Sequence, residues 1–487
     1  MKNINSCRVF KRNDHDPNPG GKYVMYWMQA HHRFEYNYAL DYAVGWANKL
    51  DLPLLVHEGI VCNYRWASDR FHQFLLESTR EDNEISKDYG ITYYPYLETF
   101  PGEADKLVSE LAKGAAVIIT DEYPTFIMAE RNKSWPKQVN VPYITVDSNG
   151  IIPLGMTDKA PYSAYHFRKI MQRHFVDCFT NPPDENPLSK LKNTDKLDLP
   201  ETITKEWRHA GDQLSDIDSF IAGLDVDHSI DPVEMKGTRV AALFQMNKFL
   251  ENDLAKYGEE RNDPDCNRTS HLSPWLHFGK ISEYEIVKGA LDRQTRGWDL
   301  SQVKDNNGQR SGFLKGHSYI EKFLDELITW REIGYHFCQH TPDYDKFESL
   351  PNWVLETFEE HKSDPREYVY SLQQFEQAQT HDEIWNAAQR QLVVEGYIHN
   401  YLRMLWGKKI LEWTKTPEDA LEIMIELNNK YAMDGRDPNS YSGIFWILGR
   451  FDRPWFERPI FGKIRYMSSD STRKKVKLKK YLEKYGN

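Results

Sequence analysis

The stretch WNAAQRQLVVEGYIHNYLRMLWGKKILEW, residues 385–413, carries two patterns at once. Trp406 and Trp413 are seven residues apart, two helical turns, and so share a face; Arg403 lies three residues before Trp406 on the same side. A helix ordinarily keeps its buried stripe free of charge, yet here Trp, Arg, His and Asn fall at short spacing. The mixture continues through Asn428-Asn429, Asp434-Gly435-Arg436-Asp437, Trp446 and Asp452-Arg453-Pro454-Trp455. Two readings fit the spacing. One is an aromatic core stripe with surface charges; the other is a pocket for a flat ligand with a conduit of indoles leading away.

Outward from this stretch the two halves of the chain differ. From Gly237 onward apolar residues recur at helical spacing, as in Ala241-Ala242-Leu243-Phe244, Phe249-Leu250 and Leu254. Earlier, short apolar runs at 23–28, 52–56, 91–96, 116–120 and 141–146 alternate with helical patterns. That alternation predicts an α/β domain with a parallel five-stranded sheet, followed by an all-helical domain. No G-x-G-x-x-G follows the first strand, so a dinucleotide fingerprint is absent. The expected organisation is a flexible leader at 1–21, the α/β domain at 22–180, an interdomain surface linker at 181–236 and the helical domain at 237–487.

A chain of 487 residues can bury two or three substantial cores. Its net charge of −11 argues against indiscriminate coating of nucleic acid, although Arg473-Lys474-Lys475-Val476-Lys477-Leu478-Lys479-Lys480 could form a local basic face or a solubilising tail. No apolar run approaches a membrane span, residues 1–21 lack a signal-peptide core, and five Cys form no C-x-x-C pair. An intracellular setting is expected, cytoplasmic or nucleoid-associated, with no membrane, no metal site and a monomeric chain. Thr269, Ser270 and Ser273-Pro274 form a helix-start corner able to donate to a diphosphate, or simply an ordinary cap. Residues 289–318, with Gly297, Asn306-Asn307-Gly308 and Gly312, read as a polar looped segment before a helix at 319–337.

Five tokens in order, RNDPDCNRTSHLSPWLHFGKIS (261–282), WNAAQ (385–389), EGYIHNYLRMLWGKKILEWT (395–414), LNNKYAMDGRDPNSY (427–441) and DRPWFERPIFGKIRYMS (452–468), resemble the class II cyclobutane pyrimidine dimer photolyases of the photolyase/cryptochrome family. The resemblance extends from about Tyr23 to near Tyr481. It implies an antenna-type α/β domain, an FAD-binding helical domain, and light-driven repair of dimers in duplex or single-stranded DNA by an electron from excited, fully reduced FAD. The alternative it leaves is a cryptochrome-like flavin photosensor without repair. A second chromophore (deazaflavin, flavin or folate) could sit at the strand ends, which offer Trp27-Met28-Gln29, Glu58 and Asp121-Glu122.

Carried over residue by residue, the resemblance assigns Tyr257, Thr269, Ser270, Leu272, Ser273, Arg403, Asn428, Asp434 and Asp437 to FAD, with Asn428 nearest the reactive ring nitrogen. Glu326 would face the dimer and exchange a proton with it. Trp330, Met404 and Trp446 would pack its apolar faces. Arg453, Lys463 and Arg465, with Arg458, would supply a basic rim. Trp406, Trp385 and Trp413 match the family's relay for photoreduction, in the order flavin, Trp406, Trp385, Trp413, solvent. Two positions depart from the pattern: Val394 stands where the family has Arg, and Trp275 where Tyr is usual. The 289–318 segment is also longer than is usual.

Overall fold

The computed structural model describes residues 4–486, which divide into two compact units. Unit 1 comprises Met1–Met156, Phe175–Met246 and Pro274–Gly289; unit 2 comprises Thr157–His174, Asn247–Ser273 and Ala290–Asn487.

Unit 1 is built on six strands: β1 (Val9–Lys11), β2 (Tyr23–Met28), β3 (Leu54–Ile60), β4 (Thr92–Leu97), β5 (Ala115–Asp121) and β6 (Tyr143–Val146). Their spatial order is β1-β6-β5-β2-β3-β4, with β2 to β6 parallel and β1 antiparallel to β6. Every residue of the central β2 is buried, because both sheet faces are covered. Val24, Tyr26 and Met28 join a cluster with Leu40 and Val44 of helix α1 (Tyr38–Leu50). Met25 and Trp27 join another with Leu107 and Leu111 of α2 (Glu103–Gly114). Asn37 starts α1, its side-chain oxygen accepting from the backbone N–H groups of Ala39 and Leu40 at 3.0 and 3.2 Å.

The five parallel strands lie where the alternation predicts them, and two other expectations change. Within the supposed leader, Ser6–Arg8 is a 3₁₀ turn and Val9–Lys11 a strand. Arg8 is the cause: it is 2 % exposed and donates to the carbonyls of Asp147, Gly150 and Ile151. Residues 181–236 do more than cover a surface. Leu188 and Leu191 enter the α1-side cluster and Ile203 and Trp207 the α2-side cluster, between short helices such as Glu201–Glu206 and Ile217–Ile221. Polar residues around these anchors hid them in the sequence.

Unit 2 draws on helix α3 (Ala164–Phe179), α4 (Ser318–Leu324), a π-helical segment Asp325–Trp330, α5 (Arg331–His340), α6 (Glu383–Glu395), α7 (Asn400–Glu412), α8 (Pro417–Tyr431), α9 (Pro438–Ile447), α10 (Ser469–Lys475) and α11 (Lys479–Tyr485). α5 crosses α9 at Gly334, where a Cβ would lie 2.7 Å from the Pro438 carbonyl oxygen. α6 ends at Gly396 in the left-handed region, and α8 starts in a capping box of Thr416 and Asp419. α10 and α11 are tied to α6: Arg473 pairs with Glu383 at 2.8 Å, Lys484 with Glu395 at 2.6 Å, and the Tyr481 hydroxyl donates to Gln391 at 2.9 Å. Among the described residues no helix is long and apolar enough to cross a membrane.

Candidate functional site

The three tryptophans form one connected chain. The Trp385 ring stacks on Trp406 with centroids 6.4 Å apart and planes 5° apart. Its other neighbour, Trp413, lies at 6.2 Å with planes at 67°. Both inner rings are buried, yet neither indole N–H is wasted: Trp385 Nε1 donates to the Trp406 carbonyl and Trp406 Nε1 to Gln389, each at 2.9 Å. The contact order is therefore Trp406, Trp385, Trp413. The expected step from Trp413 straight to solvent is not what the structure has, because Trp413 is itself buried. Ring contact continues from Trp413 to Tyr370 at 5.7 Å and His381 at 4.9 Å. His381 stacks at 3.8 Å on Tyr368, which is 38 % exposed. Sequence reasoning passed over these three, which have no helical spacing to Trp413.

α7, α8 and α9 bring together the polar residues of the opening stretch. Arg403 reaches both oxygens of Asp434, at 3.2 and 3.5 Å. Asn428 Nδ2 donates to Ser440 Oγ at 3.1 Å, and that hydroxyl donates to the Asp434 carbonyl at 2.8 Å. Among the described residues no group donates to Asn428 Oδ1, although the residue is buried. Asn429 is structural: it accepts from the Arg436 backbone and donates to the Tyr441 hydroxyl. Asp437 belongs with it. One of its oxygens caps α9 through Asn439 N–H at 2.7 Å, and the other accepts from the Tyr335 hydroxyl of α5 at 2.9 Å. Both oxygens thus serve the protein's own scaffold.

Glu326 and Trp330 lie on the π segment, and π-bulges recur where a helix must aim side chains for function. Glu326 is held by Arg261 at 2.5 Å, a partner that stood unnoticed at the head of the first quoted token. Burial pushes the Glu326 carboxyl above its ordinary range, and Arg261 pulls it back. The preceding Asp325 is gripped by Arg168 at 2.5 and 2.9 Å, and the same guanidinium lies 5.9 Å from the Trp330 ring. Met404 follows Arg403 on α7. Trp446, on α9, lies between the cations of Arg465 at 5.3 Å and Lys408 at 5.7 Å.

The 257–273 corner is polar and mostly loop, between the helices Leu254–Glu260 and Ser273–His277. Tyr257 packs edge-on against Phe323 at 5.3 Å. Thr269 Oγ1 meets the Tyr397 hydroxyl at 3.0 Å, and Ser270 Oγ accepts from Leu272 N–H at 3.5 Å. The helix at Ser273 is a single short run, Ser273–His277, so its dipole is small and the hydroxyls would have to carry an anion. His399, which starts α7, is 1 % exposed, and among the described residues neither ring nitrogen reaches a partner in good hydrogen-bond geometry, although the Arg261 backbone lies near enough to raise its proton affinity. Burial pushes its pKa down to about 4, so the ring is neutral. Buried polar atoms without partners are uncommon in a folded chain, and a polar ligand would satisfy them.

Arg465 is clamped by Asp452 at 2.7 and 3.1 Å, while Arg453 and Arg458 are exposed and Lys463 is half-buried. Val394 is 66 % exposed. In unit 1 the strand-end acids are spent on the protein. Glu58 is bonded by His32, Thr79 and Tyr93; Asp121 by the Tyr26 hydroxyl and the backbone of Gln29 and Ala30; Glu122 by Arg12 and Thr145. A cavity of about 440 Å³ does open just past β3 and β4, lined by Val61, Tyr64, Glu98, Lys106, Arg131 and Trp135.

No family model matches the chain. A deoxyribodipyrimidine photo-lyase from Methanothermobacter thermautotrophicus is 34 % identical over 483 residues, covering 99 % of this chain and 98 % of the relative. Enzymes of the same name from Potorous tridactylus and Arabidopsis thaliana are 33 % and 31 % identical; each match covers 94 % of this chain, with 80 % and 88 % of the relatives. Among solved structures, a class III photolyase from Agrobacterium tumefaciens shares the fold with a TM-score of 0.63 at 17 % identity, over 96 % of this chain and 87 % of that one. An archaeal photolyase from Sulfolobus tokodaii, solved with two FAD molecules, gives 0.59 at 15 % identity, over 93 % and 87 %.

Proposed function

The chain belongs to the deoxyribodipyrimidine photo-lyase family, and we propose that it splits cyclobutane pyrimidine dimers in DNA under blue light, on the class II pattern, with FAD as its cofactor. The class II branch is supported by the five ordered tokens and by the contact order Trp406, Trp385, Trp413. The fit to FAD is supported by the orphaned His399 ring, the unused Asn428 Oδ1 and the hydroxyls of Thr269, Ser270 and Ser273. When bound, a reduced flavin supplies the photoexcited electron.

The protein's own side chains do the rest. Arg403, oriented by Asp434, sets a positive charge against an anionic ring. Asn428 presents an amide able to donate or accept at a ring nitrogen. Trp330, Met404 and Trp446 wall an apolar pocket for a flipped-out dinucleotide. Glu326 holds a proton at its carboxyl for the dimer's carbonyl oxygen, and Arg261 keeps that carboxyl in place. The three tryptophans, continued by Tyr370 and His381, replace electrons after oxidation of the cofactor. Arg453, Lys463 and Arg465 face the phosphates. A second chromophore would find room in the unit 1 cavity.

The observation that carries repair over photosensing is Glu326, a half-buried carboxyl on a π segment with a dedicated arginine, since a sensor needs no proton for a lesion. The test irradiates dimer-containing duplex and single strands with blue light in the presence of chemically reduced protein and counts restored thymines, with a (6-4) lesion as control. Restoration of the cyclobutane dimer alone is expected. No light-dependent restoration, with reduced flavin demonstrably bound, moves the reading to a photosensor.

A further inference from the structure

Arg310 sits in the 289–318 segment that departs from the family pattern, and the structure holds that segment firmly. Gln172 of α3, 4 % exposed, donates to the Gln309 carbonyl at 2.9 Å and accepts from the backbone N–H groups of Asn306 and Gly308 at 3.1 and 2.8 Å. On the other side Glu321 of α4 accepts from the N–H groups of Gly312, Phe313 and Leu314 at 2.8, 2.5 and 3.0 Å. Gly308 has φ +76°, and a Cβ there would lie 2.9 Å from the Tyr165 carbonyl, so the turn requires glycine. Arg310 is the residue presented between these two clamps, and its side chain is 66 % exposed.

Its nearest acid does not account for it. Asp325 lies 3.7 Å from Arg310 Nε, but that carboxylate is already gripped bidentately by Arg168. A second, exposed arginine at that distance adds little to stability. Among the described residues Arg168, Arg261 and Arg310 pair with Asp325 and Glu326, three cations with two acids. Arg310 also acts on the Glu326 carboxyl, lowering its proton affinity through space, so it stands beside the residue assigned to the lesion. A planar guanidinium fork, pre-positioned and facing solvent next to that carboxyl, suits a phosphate diester.

We infer that Arg310 is a DNA-phosphate contact: it takes a phosphodiester of the strand that carries the lesion and sets the strand's position over Glu326. This rests on the repair reading above. Such a contact fixes register without reading bases.

The test measures affinity of the flavin-loaded full chain for a dimer-containing duplex over a series of KCl concentrations. Arg310→Ala should weaken binding several-fold at low salt and flatten the slope of log affinity against log salt by about 0.9, one phosphate's worth. Arg310→Lys should keep the slope. Undamaged duplex should lose the same increment, so the preference for damage stays. Flavin content and photoreduction rate should not move. Unchanged slope and affinity in Arg310→Ala, with wild-type binding intact, would overturn the assignment. A lowered melting temperature with no slope change would do the same, reducing Arg310 to a counterion for Asp325. If the unsubstituted protein shows no preference for the damaged duplex at any salt concentration, the repair reading itself falls, and Arg310 with it.

Discussion

Glu326 sits between two opposed influences, burial raising its proton affinity and Arg261 lowering it. Between the ordinary carboxylate range and its own raised value, it carries more proton folded than unfolded. Its contribution to stability is therefore complete at low pH and lost as pH rises through the folded pKa. Removing Arg261 takes away the larger of the cationic influences that oppose burial, leaving only the more distant Arg310. In Arg261→Met the infrared carbonyl band assigned by its absence in Glu326→Gln should persist to higher pH than in the wild type, and the alkaline loss of repair should move up with it. A band that titrates at or below the wild-type pH would remove Arg261 from this role. Trp406 offers a second check. Trp406→Phe should slow photoreduction of the oxidised protein at least tenfold while repair by chemically reduced protein survives; transient absorption with wild-type kinetics would exclude it as the innermost member. At this scale the sequence was most legible where residues act through spacing. Trp406 and Trp413, two turns apart, could be placed on one face in advance, whereas Arg403 and Asp434, 31 residues apart, were named only through the family resemblance. Arg261, Tyr370, His381 and His399 could not be named in advance, because what matters about them is a partner, or the lack of one, brought in by distant chain.

Among the elements, the π segment Asp325–Trp330 has the clearest consequence. A π turn accommodates one more residue than an α turn, and Thr329 within it is fully buried with an unpartnered hydroxyl. Deleting Thr329 should restore regular α geometry and turn Glu326 by about 100° relative to α5, away from Arg261. Repair should fall by roughly tenfold or more, about the cost of misplacing one catalytic group, while circular dichroism and flavin content hold. Full repair in the deletion would show that the bulge does not aim Glu326. No hydrophobic pattern announces a π turn, since one inserted residue barely disturbs a helical stripe. The same limit hid β1, three residues long and held by a single buried arginine, whereas β2 through β6, rich in β-branched and aromatic residues, were readable as strands. The helix at Ser273 starts where Ser-Pro marks it, and it is only five residues long.

For the whole molecule, a net charge of −11 and a basic C-terminal run seemed to divide between solubility and DNA. The structure gives that run a third use. Its two ends are docked on α6, the helix that carries Trp385, through Arg473, Lys484 and the largely buried rings of Tyr481 and Tyr485. Truncation before Ser469 uncovers that face. It should lower the midpoint of thermal unfolding by on the order of 5–10 °C, as expected for losing two buried aromatic side chains. A truncated protein that melts like the full chain would return the run to the role of a tail. The tryptophan chain also has an optical consequence. The ring planes of Trp406 and Trp385 are nearly parallel, but the plane turns by 67° at Trp413. A radical moving along the proposed relay keeps its ring orientation at the first hop and rotates it at the second. Polarised pump–probe light, read faster than the protein tumbles, can therefore separate a radical on Trp413 from one on the inner pair even though all three indoles share one spectrum.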